Sequence, residues 1–460
     1  MFDVNIAALL IVSLVVLVAL GVHIAIALGM TSALGIYLVT GGNFHVVMAM
    51  LGSTAYEALR DYVFAVIPLF MLMGEFIGKS GAVTDVYRGI NRGLRRLPGR
   101  LAIATVLGNA IFSFVTGVSI ASAAAFSRIA YPEMKRYGYH KGFALGTVAG
   151  SSCLGMLIPP SVLMIVWGIL TEQSIGQIFL AGVLPGFLLV SMLVAYVFIR
   201  AVLNPALVGA GADSRGATST PSAVGAQVVS DTAGEEDDIS TTAVLVSAAG
   251  IFLVILAVLG GIWFGVFTPT EGAGAGAFIG LVMGIVKGMR FRDIIDSILS
   301  VGRTSAPILL LLVAASLYSR ALAMTGVTNA IQDLFLGTGL APFAILGLMV
   351  LIWFLLGMVI DSISIMLLTV PIFAPIATQL GFDPIAFAIV GILAIEAGLL
   401  TPPFGLLVYT VKAAIDDEGD DVSIIQIFKS STPYWIIMLI SMVAIAEFPQ
   451  IATLLPSLMF

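Results

Sequence analysis

Gly-Leu-Leu-Thr-Pro-Pro-Phe-Gly, residues 398–405, is the stretch that decides the fold, and Gly-Met-Leu-Ile-Pro-Pro-Ser at residues 155–161 is its counterpart. Each stretch places two adjacent prolines in an otherwise apolar run. Proline has no backbone N–H and interrupts the helical hydrogen-bond ladder, so each stretch frees carbonyl oxygens that need a partner at membrane depth. The sequence therefore predicts two broken helices that line a binding site, with a purely structural kink as the alternative.

The two stretches belong to a longer pattern with a constant offset of 243 residues. Chance would explain one coincidence of glycines or prolines, but five pairs at one offset indicate an internal repeat. The pairs are Pro132 with Pro375, Gly138 with Gly381, Gly155 with Gly398, Pro159 with Pro402 and Pro160 with Pro403.

Composition places these segments in a bilayer. Of the 460 residues, 60% are hydrophobic and 10% are charged. Continuous apolar runs, long enough at about 20 residues each to cross a hydrocarbon core, recur along the chain. Because the runs are continuous and do not alternate with polar residues, helices satisfy the backbone in lipid. The predicted fold class is an all-α polytopic membrane protein.

Several other classes are excluded or disfavoured. Cys153 is the only cysteine, so no intramolecular disulfide can form. The net charge of −6 is small for this length, and nothing suggests nucleic-acid binding. The apolar start lacks a preceding basic residue and a small-residue cleavage site, so we expect a retained helix. The spans lack a metal-ligand cluster or a nucleophile with a histidine partner, so we do not expect an enzyme.

The predicted organisation is two repeats joined by a polar linker at residues 204–240. The linker is rich in Gly, Ala, Ser, Thr and acids, a composition typical of disorder. The predicted segments are N-terminal scaffold helices at 1–61, the first repeat at 62–203 with a hairpin at 101–130 and a broken helix at 155–161, scaffold helices at 241–304, the second repeat at 305–432 with a hairpin at 348–374 and a broken helix at 398–405, and a C-terminal helix at 433–460.

Basic residues predict the orientation, because lysine and arginine in short loops stay cytoplasmic. Most of the 20 basic residues fall on one side if both predicted hairpins are re-entrant, the first opening inward and the second outward. Residues 79–100 carry six basic residues, whereas the equivalent residues 326–341 carry none. This asymmetry indicates inverted-topology repeats. We therefore expect a cytoplasmic linker, and both termini and residues 41–61 in the periplasm.

The midpoints of the predicted hairpins carry oxygen-bearing side chains, at residues 116–122 and 357–362. Hydroxyls and carboxylates are ligands of the hard type that a small cation prefers. Asp361 is the strongest single candidate, because an ionisable group inside a span is costly; a helix-end aspartate near the interface is the alternative. Glu396 is weaker, since a neutral acid bonded to a carbonyl would explain it. Arg320 is expected to extend to the periplasmic face rather than bind an anion.

Three groups of motifs carry a resemblance to a known family. They are LGMLIPPSVLMIVWG with SIGQIFLAGVLPG between residues 154 and 186, GMVIDSISIMLLTVPIFAPIATQLGFDP followed by GLLTPPFG between residues 357 and 405, and FTPTEGA at residues 267–273. The chain resembles the large membrane subunit of tripartite ATP-independent periplasmic (TRAP) transporters over nearly its whole length.

The resemblance implies an elevator-type subunit of the bacterial inner membrane. Its partners would be a small four-helix membrane subunit and a soluble periplasmic binding protein. Substrates of the family are small organic anions, mainly carboxylates such as dicarboxylates and sugar acids, together with zwitterions and sulfonates, and transport is coupled to Na⁺. The alternative function that we weigh is a self-sufficient sodium/dicarboxylate symporter, which shares broken, inverted repeats and needs no binding protein.

Site residues follow from the family motifs. The resemblance implies sodium ligands at Thr116, Gly117, Ser119, Gly155 and Pro159 in the first repeat, and at Gly357, Asp361, Gly398, Thr401 and Pro402 in the second. We expect the substrate near Ser119, Ser122, Ser151 and Ser152. The chain departs from the family in two places: Val118 stands where a serine is common, and Ala394 where asparagine is frequent.

Overall fold

The computed structural model describes residues 4–209, 241–416 and 422–459, and these residues are almost entirely helical. In chain order the helices are α1 (Val4–Ala19), α2 (Ile24–Val39), α3 (Phe44–Arg60), α4 (Val66–Lys79), α5 (Ala82–Gly93), α6 (Arg100–Thr116), α7 (Ser119–Ile129), α8 (Tyr131–Arg136), α9 (Lys141–Ser152), α10 (Leu154–Leu157), α11 (Val162–Thr171), α12 (Ile175–Leu203), α13 (Thr241–Trp263, with a π-helical turn at Leu256–Gly260), α14 (Pro269–Val286), α15 (Phe291–Thr325), α16 (Val327–Gly337), α17 (Pro342–Gly357), α18 (Ser362–Gln379), α19 (Pro384–Gly398), α20 (Leu406–Asp416), α21 (Ile424–Glu447) and α22 (Gln450–Met459). Short 3₁₀ helices lie at Tyr62–Ala65 and Pro205–Leu207.

Apolar helices dominate this architecture. In the described ranges, eight helices are long and apolar enough to cross a membrane by length and composition. Several shorter apolar helices accompany them, including α6, α17 and α19, which are too short for that set. The predicted all-α class of membrane protein is confirmed.

Each predicted hairpin is a pair of helices joined by a short non-helical tip. In the first, α6 ends at Thr116 and α7 begins at Ser119, with Gly117 in the left-handed region at φ 61°. In the second, α17 ends at Gly357 and α18 begins at Ser362. The second pair spans residues 342–379 and is therefore longer at both ends than the predicted 348–374.

The two proline pairs interrupt helices in the same way. After α10 the chain is non-helical through a cis peptide bond between Pro159 and Pro160, and α11 then begins. After α19 it is non-helical through a cis bond between Pro402 and Pro403, and α20 follows. Both predicted broken helices are therefore present, at the predicted residues.

Helix packing is reciprocal between positions 243 residues apart. Helix α2 packs against α15, and α14, which lies one offset after α2, packs against α4, which lies one offset before the second half of α15. Likewise α7 packs against α20, and α18 packs against α11. Each half of the chain therefore completes the core of the other half.

An aromatic cluster lies where the halves meet. The rings of Trp167 and Trp353 are 6.0 Å apart edge to face, and Phe387 contacts both, at 5.8 and 5.3 Å. The indole Nε1 of Trp353 donates a 2.7 Å hydrogen bond to Thr369 Oγ1. Such aromatic pairs contribute roughly 0.5–1.5 kcal/mol each beyond the area they bury. The cluster therefore fixes α11 of the first half against α17, α18 and α19 of the second.

The start of the predicted linker is structured. Residues 205–207 form a 3₁₀ helix, and Val208 makes a backbone bridge to Tyr139 in the loop before α9. The linker therefore begins later than residue 204, because its first residues find backbone partners in that loop. Residues 210–240, which make up the rest of the predicted linker, lie outside the described residues.

Arg320 on α15 is compensated by a nearby acid. It forms an ion pair with Glu57 on α3 and donates a 3.0 Å hydrogen bond to Thr54 Oγ1. The arginine side chain is 43% exposed. Its charge is therefore used in joining two helices at a surface of the protein.

Candidate functional site

The two hairpin tips meet at one buried carboxylate, that of Glu396 on α19. Glu396 is 1% exposed, and its Oε1 accepts a 2.8 Å hydrogen bond from Ser362 Oγ, on the first residue of α18. Ser119, the first residue of α7, lies beside the same carboxylate and is fully buried. Among the described residues, Ser119 Oγ and Glu396 Oε2 have no hydrogen-bond partner. The centre therefore holds oxygen atoms that remain available for a ligand.

Backbone contact between the first tip and the first broken helix positions Ser119. The carbonyl of Gly117 accepts a 3.1 Å hydrogen bond from the Val162 N–H. A Cβ added to Gly117 would lie 2.3 Å from the Pro160 carbonyl oxygen, and one added to Gly155 would lie 2.8 Å from Ser119 Cα. Only glycine lets the two backbones approach this closely.

The second tip contacts the second broken helix in the same manner. A Cβ added to Gly398 would lie 2.7 Å from Gly357 Cα and 2.6 Å from the Phe354 carbonyl oxygen. The Phe404 N–H donates a 3.1 Å hydrogen bond to the Met358 carbonyl. Each predicted set of site residues is therefore brought together, with the tip against the proline pair in both halves.

The predicted hydroxyls of the first half fall into two classes. Ser122, like Ser119, is fully buried on α7 and its Oγ has no hydrogen-bond partner in the described ranges. The other hydroxyls bond carbonyls of their own helices. These bonds run from Thr116 Oγ1 to Phe112 O at 3.1 Å, from Ser151 Oγ to Thr147 O at 2.6 Å and from Ser152 Oγ to Ala149 O at 2.7 Å.

Ser151 also belongs to a buried network. Its Oγ accepts a 2.7 Å hydrogen bond from Asn109 Nδ2, on α6. The Asn109 Oδ1 atom has no partner within the described part of the chain. Ser151 and Ser152 thus have structural bonds, and a substrate role for them stays a prediction.

In the second half, Asp361 and Thr401 have separate local roles. Asp361 is the N-cap of α18, where its Oδ1 accepts a 3.0 Å hydrogen bond from the Ser364 N–H. Its side chain borders a cavity of about 350 Å³ that the turn at residues 21–24 also lines. Thr401 Oγ1 donates a 2.6 Å hydrogen bond to the Gly398 carbonyl. No hydrogen bond joins the two side chains within residues 4–209, 241–416 and 422–459, so a shared sodium site at Asp361 and Thr401 stays a prediction.

The donor set of the centre suits a hard cation. The serine hydroxyls, the carboxylate and the carbonyls freed at the proline pairs are all oxygen ligands. A buried carboxylate also needs a compensating positive charge or a proton, because isolated ionised groups are costly away from water. The residues present therefore fit a small cation such as Na⁺.

Sequence reasoning ranked Glu396 low and did not single out Ser362. The offset of 243 would have marked both, since it pairs Ser362 with Ser119 and Glu396 with Cys153. Cys153, like Glu396, is buried, at 1% exposure. The two halves thus place one cysteine and one acid at equivalent positions of the centre.

Comparison with known proteins gives the family. Residues 11–451 match the family model described as Tripartite ATP-independent periplasmic transporter, DctM component. The C4-dicarboxylate TRAP transporter large permease protein DctM of Pseudomonas aeruginosa is 29% identical over 412 residues, covering 87% of this chain and 88% of the relative. The sialic acid TRAP transporter large permease protein SiaM of Vibrio cholerae is 27% identical, covering 91% and 90%. The ectoine/5-hydroxyectoine TRAP transporter large permease protein UehC of Ruegeria pomeroyi is 28% identical, covering 87% and 88%.

Solved structures show a similar fold. The Alcanivorax borkumensis YdaH transporter matches with a TM-score of 0.63 at 15% identity, covering 88% of each chain. Neisseria gonorrhoeae MtrF matches with a TM-score of 0.62 at 14% identity, covering 97% of this chain and 94% of MtrF. The sequence relatives are permease subunits, which are not enzymes. This multi-pass protein of the inner membrane therefore belongs to the DctM components, the large permeases, of tripartite ATP-independent periplasmic transporters.

Proposed function

We propose that this chain imports a small organic anion by symport with Na⁺. A periplasmic binding protein delivers the anion, and a small four-helix membrane subunit accompanies the chain. The tripartite family supports both partners. Relatives are named for C4-dicarboxylates, sialic acid, ectoine and isethionate, which supports a substrate with a carboxylate or sulfonate group.

The single observation that carries the proposal is the meeting of two tips and two broken helices around Glu396. The buried oxygens of Ser119, Ser122 and Glu396 that have no partner among the described residues supply ligands, and the helix N-termini at Ser119 and Ser362 favour an anion nearby. A cation and an anionic substrate can therefore occupy neighbouring positions, each lowering the electrostatic cost of the other in a low-dielectric cavity.

The sodium ligands in this proposal are those of the two tips and breaks, with Glu396 added. When bound, Na⁺ supplies the positive charge that the carboxylate lacks. The carbonyls around each proline pair and the tip hydroxyls replace its water shell. The residues are Thr116, Gly117, Ser119, Gly155 and Pro159 in the first half, and Gly357, Asp361, Glu396, Gly398, Thr401 and Pro402 in the second.

We further propose that the halves are inverted-topology repeats and that transport follows an elevator mechanism. The reciprocal packing of helices 243 residues apart supports a two-fold relation. The basic residues at 79–100, absent from 326–341, support opposite orientations in the membrane. On this proposal both hairpins are re-entrant, the linker is cytoplasmic and both termini are periplasmic.

A self-sufficient sodium/dicarboxylate symporter is the other candidate. The likeness to YdaH and MtrF concerns the fold alone, at 15% and 14% identity. The family match over residues 11–451 favours the tripartite arrangement.

The test is uptake into proteoliposomes that contain this chain and the small membrane subunit encoded beside it. Radiolabelled succinate, sialic acid and ectoine serve as probes, with and without the neighbouring binding protein, under an inward Na⁺ or K⁺ gradient. We expect uptake of one probe class that requires both Na⁺ and the binding protein. Uptake by this chain alone would establish the self-sufficient symporter, and equal uptake under a K⁺ gradient would overturn sodium coupling.

A further inference from the structure

A basic pocket of about 300 Å³ lies between α5, the start of α6, α8 and the start of α13. Five arginines and one glutamate are among its lining residues. None of its lining residues belongs to the Glu396 centre. The arginines are Arg88, Arg92, Arg95, Arg100 and Arg136.

Neighbouring groups hold these guanidinium groups in place. Arg92 Nη1 donates a 3.4 Å hydrogen bond to Thr241 Oγ1, which ties α5 to the start of α13. The guanidinium carbon of Arg100 lies 5.0 Å above the ring of Tyr137, a cation–π distance. The pocket is therefore a shaped site and not merely a set of solvated side chains on a surface.

A buried hydroxyl adds a neutral donor to the pocket. Tyr87 lines it, is 1% exposed, and its Oη has no hydrogen-bond partner in the residues that the structure describes. A buried hydroxyl without a partner is costly, and a ligand oxygen would relieve that cost.

The charge of the pocket points to a phosphate group. Some of the arginines also contact other protein groups, but the one carboxylate of the lining, that of Glu133, cannot neutralise five guanidinium groups. Guanidinium forks match the oxygens of phosphate in bidentate geometry, and several forks around one cavity favour an anion that presents three or more oxygens.

Apolar side chains beside the pocket indicate what carries the phosphate. Val244 lines the pocket, and the next residues on α13, Leu245 and Val246, are 64% and 46% exposed. Leu97, between α5 and α6, is 42% exposed. An apolar surface next to a cluster of arginines suits a ligand with an acyl body and an anionic head, and basic pockets between membrane helices bind such headgroups.

We propose that this pocket binds the phosphate of an anionic phospholipid. The arginines hold the headgroup, and the acyl chains lie along the exposed face of α13. The proposal concerns a lipid site on the permease itself. It does not rest on the transported substrate or on sodium coupling.

The test uses the purified full-length chain in nanodiscs of phosphatidylcholine alone or with phosphatidylglycerol, and native mass spectrometry to count retained phosphatidylglycerol. The test variant is Arg88→Gln with Arg95→Gln, two exposed pocket residues whose replacement spares the core. The matched control is Arg96→Gln with Arg303→Gln, two exposed arginines that do not line the pocket. Each basic residue near a membrane surface contributes enough attraction that losing two should lower apparent affinity roughly 30-fold.

We expect the test variant to lose retained phosphatidylglycerol and the control to keep it. A matching rise in the unfolding midpoint with phosphatidylglycerol is expected for the wild type and the control only. Equal losses in both variants would reduce the effect to general surface attraction and overturn the site. Full displacement of the lipid by millimolar inorganic phosphate would assign the pocket to a free anion and overturn the lipid proposal. A variant with Glu235, Glu236, Asp237 and Asp238 neutralised removes nearby acids as competitors, and absence of retention there and in the wild type would also overturn it.

Discussion

Ser362 Oγ donates a 2.8 Å hydrogen bond to Glu396 Oε1, joining the first residue after the second hairpin tip to the helix that ends at the second proline pair. The two residues are 34 positions apart in sequence. Because Ser362 directly follows the tip, a change in the position of the tip changes the surroundings of the carboxylate. Occupancy of the centre and the position of the second tip are therefore physically linked.

Glu396→Gln should abolish most Na⁺-dependent uptake while leaving the protein folded. Glutamine keeps the size and one acceptor oxygen for Ser362, so only the charge is lost. A hydrogen bond inside a membrane protein contributes on average about 0.6 kcal/mol, so the unfolding midpoint should change little. Uptake in proteoliposomes measures the effect, with Glu447→Gln, an exposed acid on α21, as the control. Wild-type uptake by Glu396→Gln would remove the carboxylate from the proposed mechanism.

Asp361→Asn should raise the Na⁺ concentration needed for half-maximal uptake. Asparagine caps helices about as well as aspartate, so α18 keeps its N-cap and stability is unchanged. Asp383 on α19 provides a matched control, since it is also an N-cap, accepting from the Ile385 and Ala386 N–H groups. Uptake against Na⁺ concentration should shift for Asp361→Asn only. Superimposable curves for the wild type and both variants would leave Asp361 as a helix cap alone.

Ser119→Ala should weaken uptake without destabilising the protein. The hydroxyl is buried and has no partner among the described residues, so its removal breaks no internal bond. Ser127→Ala on the same helix is the control, because the Ser127 hydroxyl bonds the Ala123 carbonyl at 2.7 Å. Uptake rates and unfolding midpoints of both variants check the expectation. Unchanged uptake with unchanged Na⁺ dependence would exclude Ser119 from the site.

Gly117→Ala should destabilise the first tip. The residue has φ 61°, and its new Cβ would lie 2.3 Å from the Pro160 carbonyl oxygen. The left-handed backbone costs an L-residue about 1–2 kcal/mol, and overpacking adds roughly 1–3 kcal/mol. Gly347→Ala in α17 is the control, because no atom lies within 4 Å of its Cβ position, and it should be neutral or stabilising by up to about 1 kcal/mol. Equal unfolding midpoints for the two variants would contradict the close approach at the tip.

The topology is tested by cysteine labelling in intact cells. The native Cys153 is buried at 1% exposure, and Cys153→Ala gives a cysteine-free background. Ser222→Cys, in the predicted cytoplasmic linker, should resist an impermeant reagent added outside. Ser53→Cys, on the exposed surface of α3 and in the predicted periplasmic segment, should react. The reverse pattern would overturn the proposed orientation.

Local rules were sufficient to predict much of the fold. The proline pairs and their offset predicted both broken helices at the observed residues, because proline acts on its own helical turn. The bounds of the second hairpin were less predictable. Prolines at 371 and 375 suggested an end near residue 374, but α18 continues to Gln379. Neighbouring helices allow proline to remain inside such a helix, and this depends on tertiary packing.

The composition of the centre depends on the same long-range packing. Ser119 and Glu396 are far apart in the sequence, and only the reciprocal docking of the halves brings them together. Hydropathy ranks Glu396 as one costly acid among several, since burial and partners are invisible to it. The individual glycines and serines of the tips were predictable because the reversal of the chain needs small residues at those points.

The Trp167–Trp353 contact provides a spectroscopic reporter that needs no label. The chain has four tryptophans, and two of them form this edge-to-face pair at 6.0 Å between the halves. Indoles at that distance couple their electronic transitions, so near-ultraviolet circular dichroism should carry a signal from the junction of the halves. Loss of that signal on heating, before the loss of helical ellipticity, would reveal separation of the halves as a step distinct from melting of the helices.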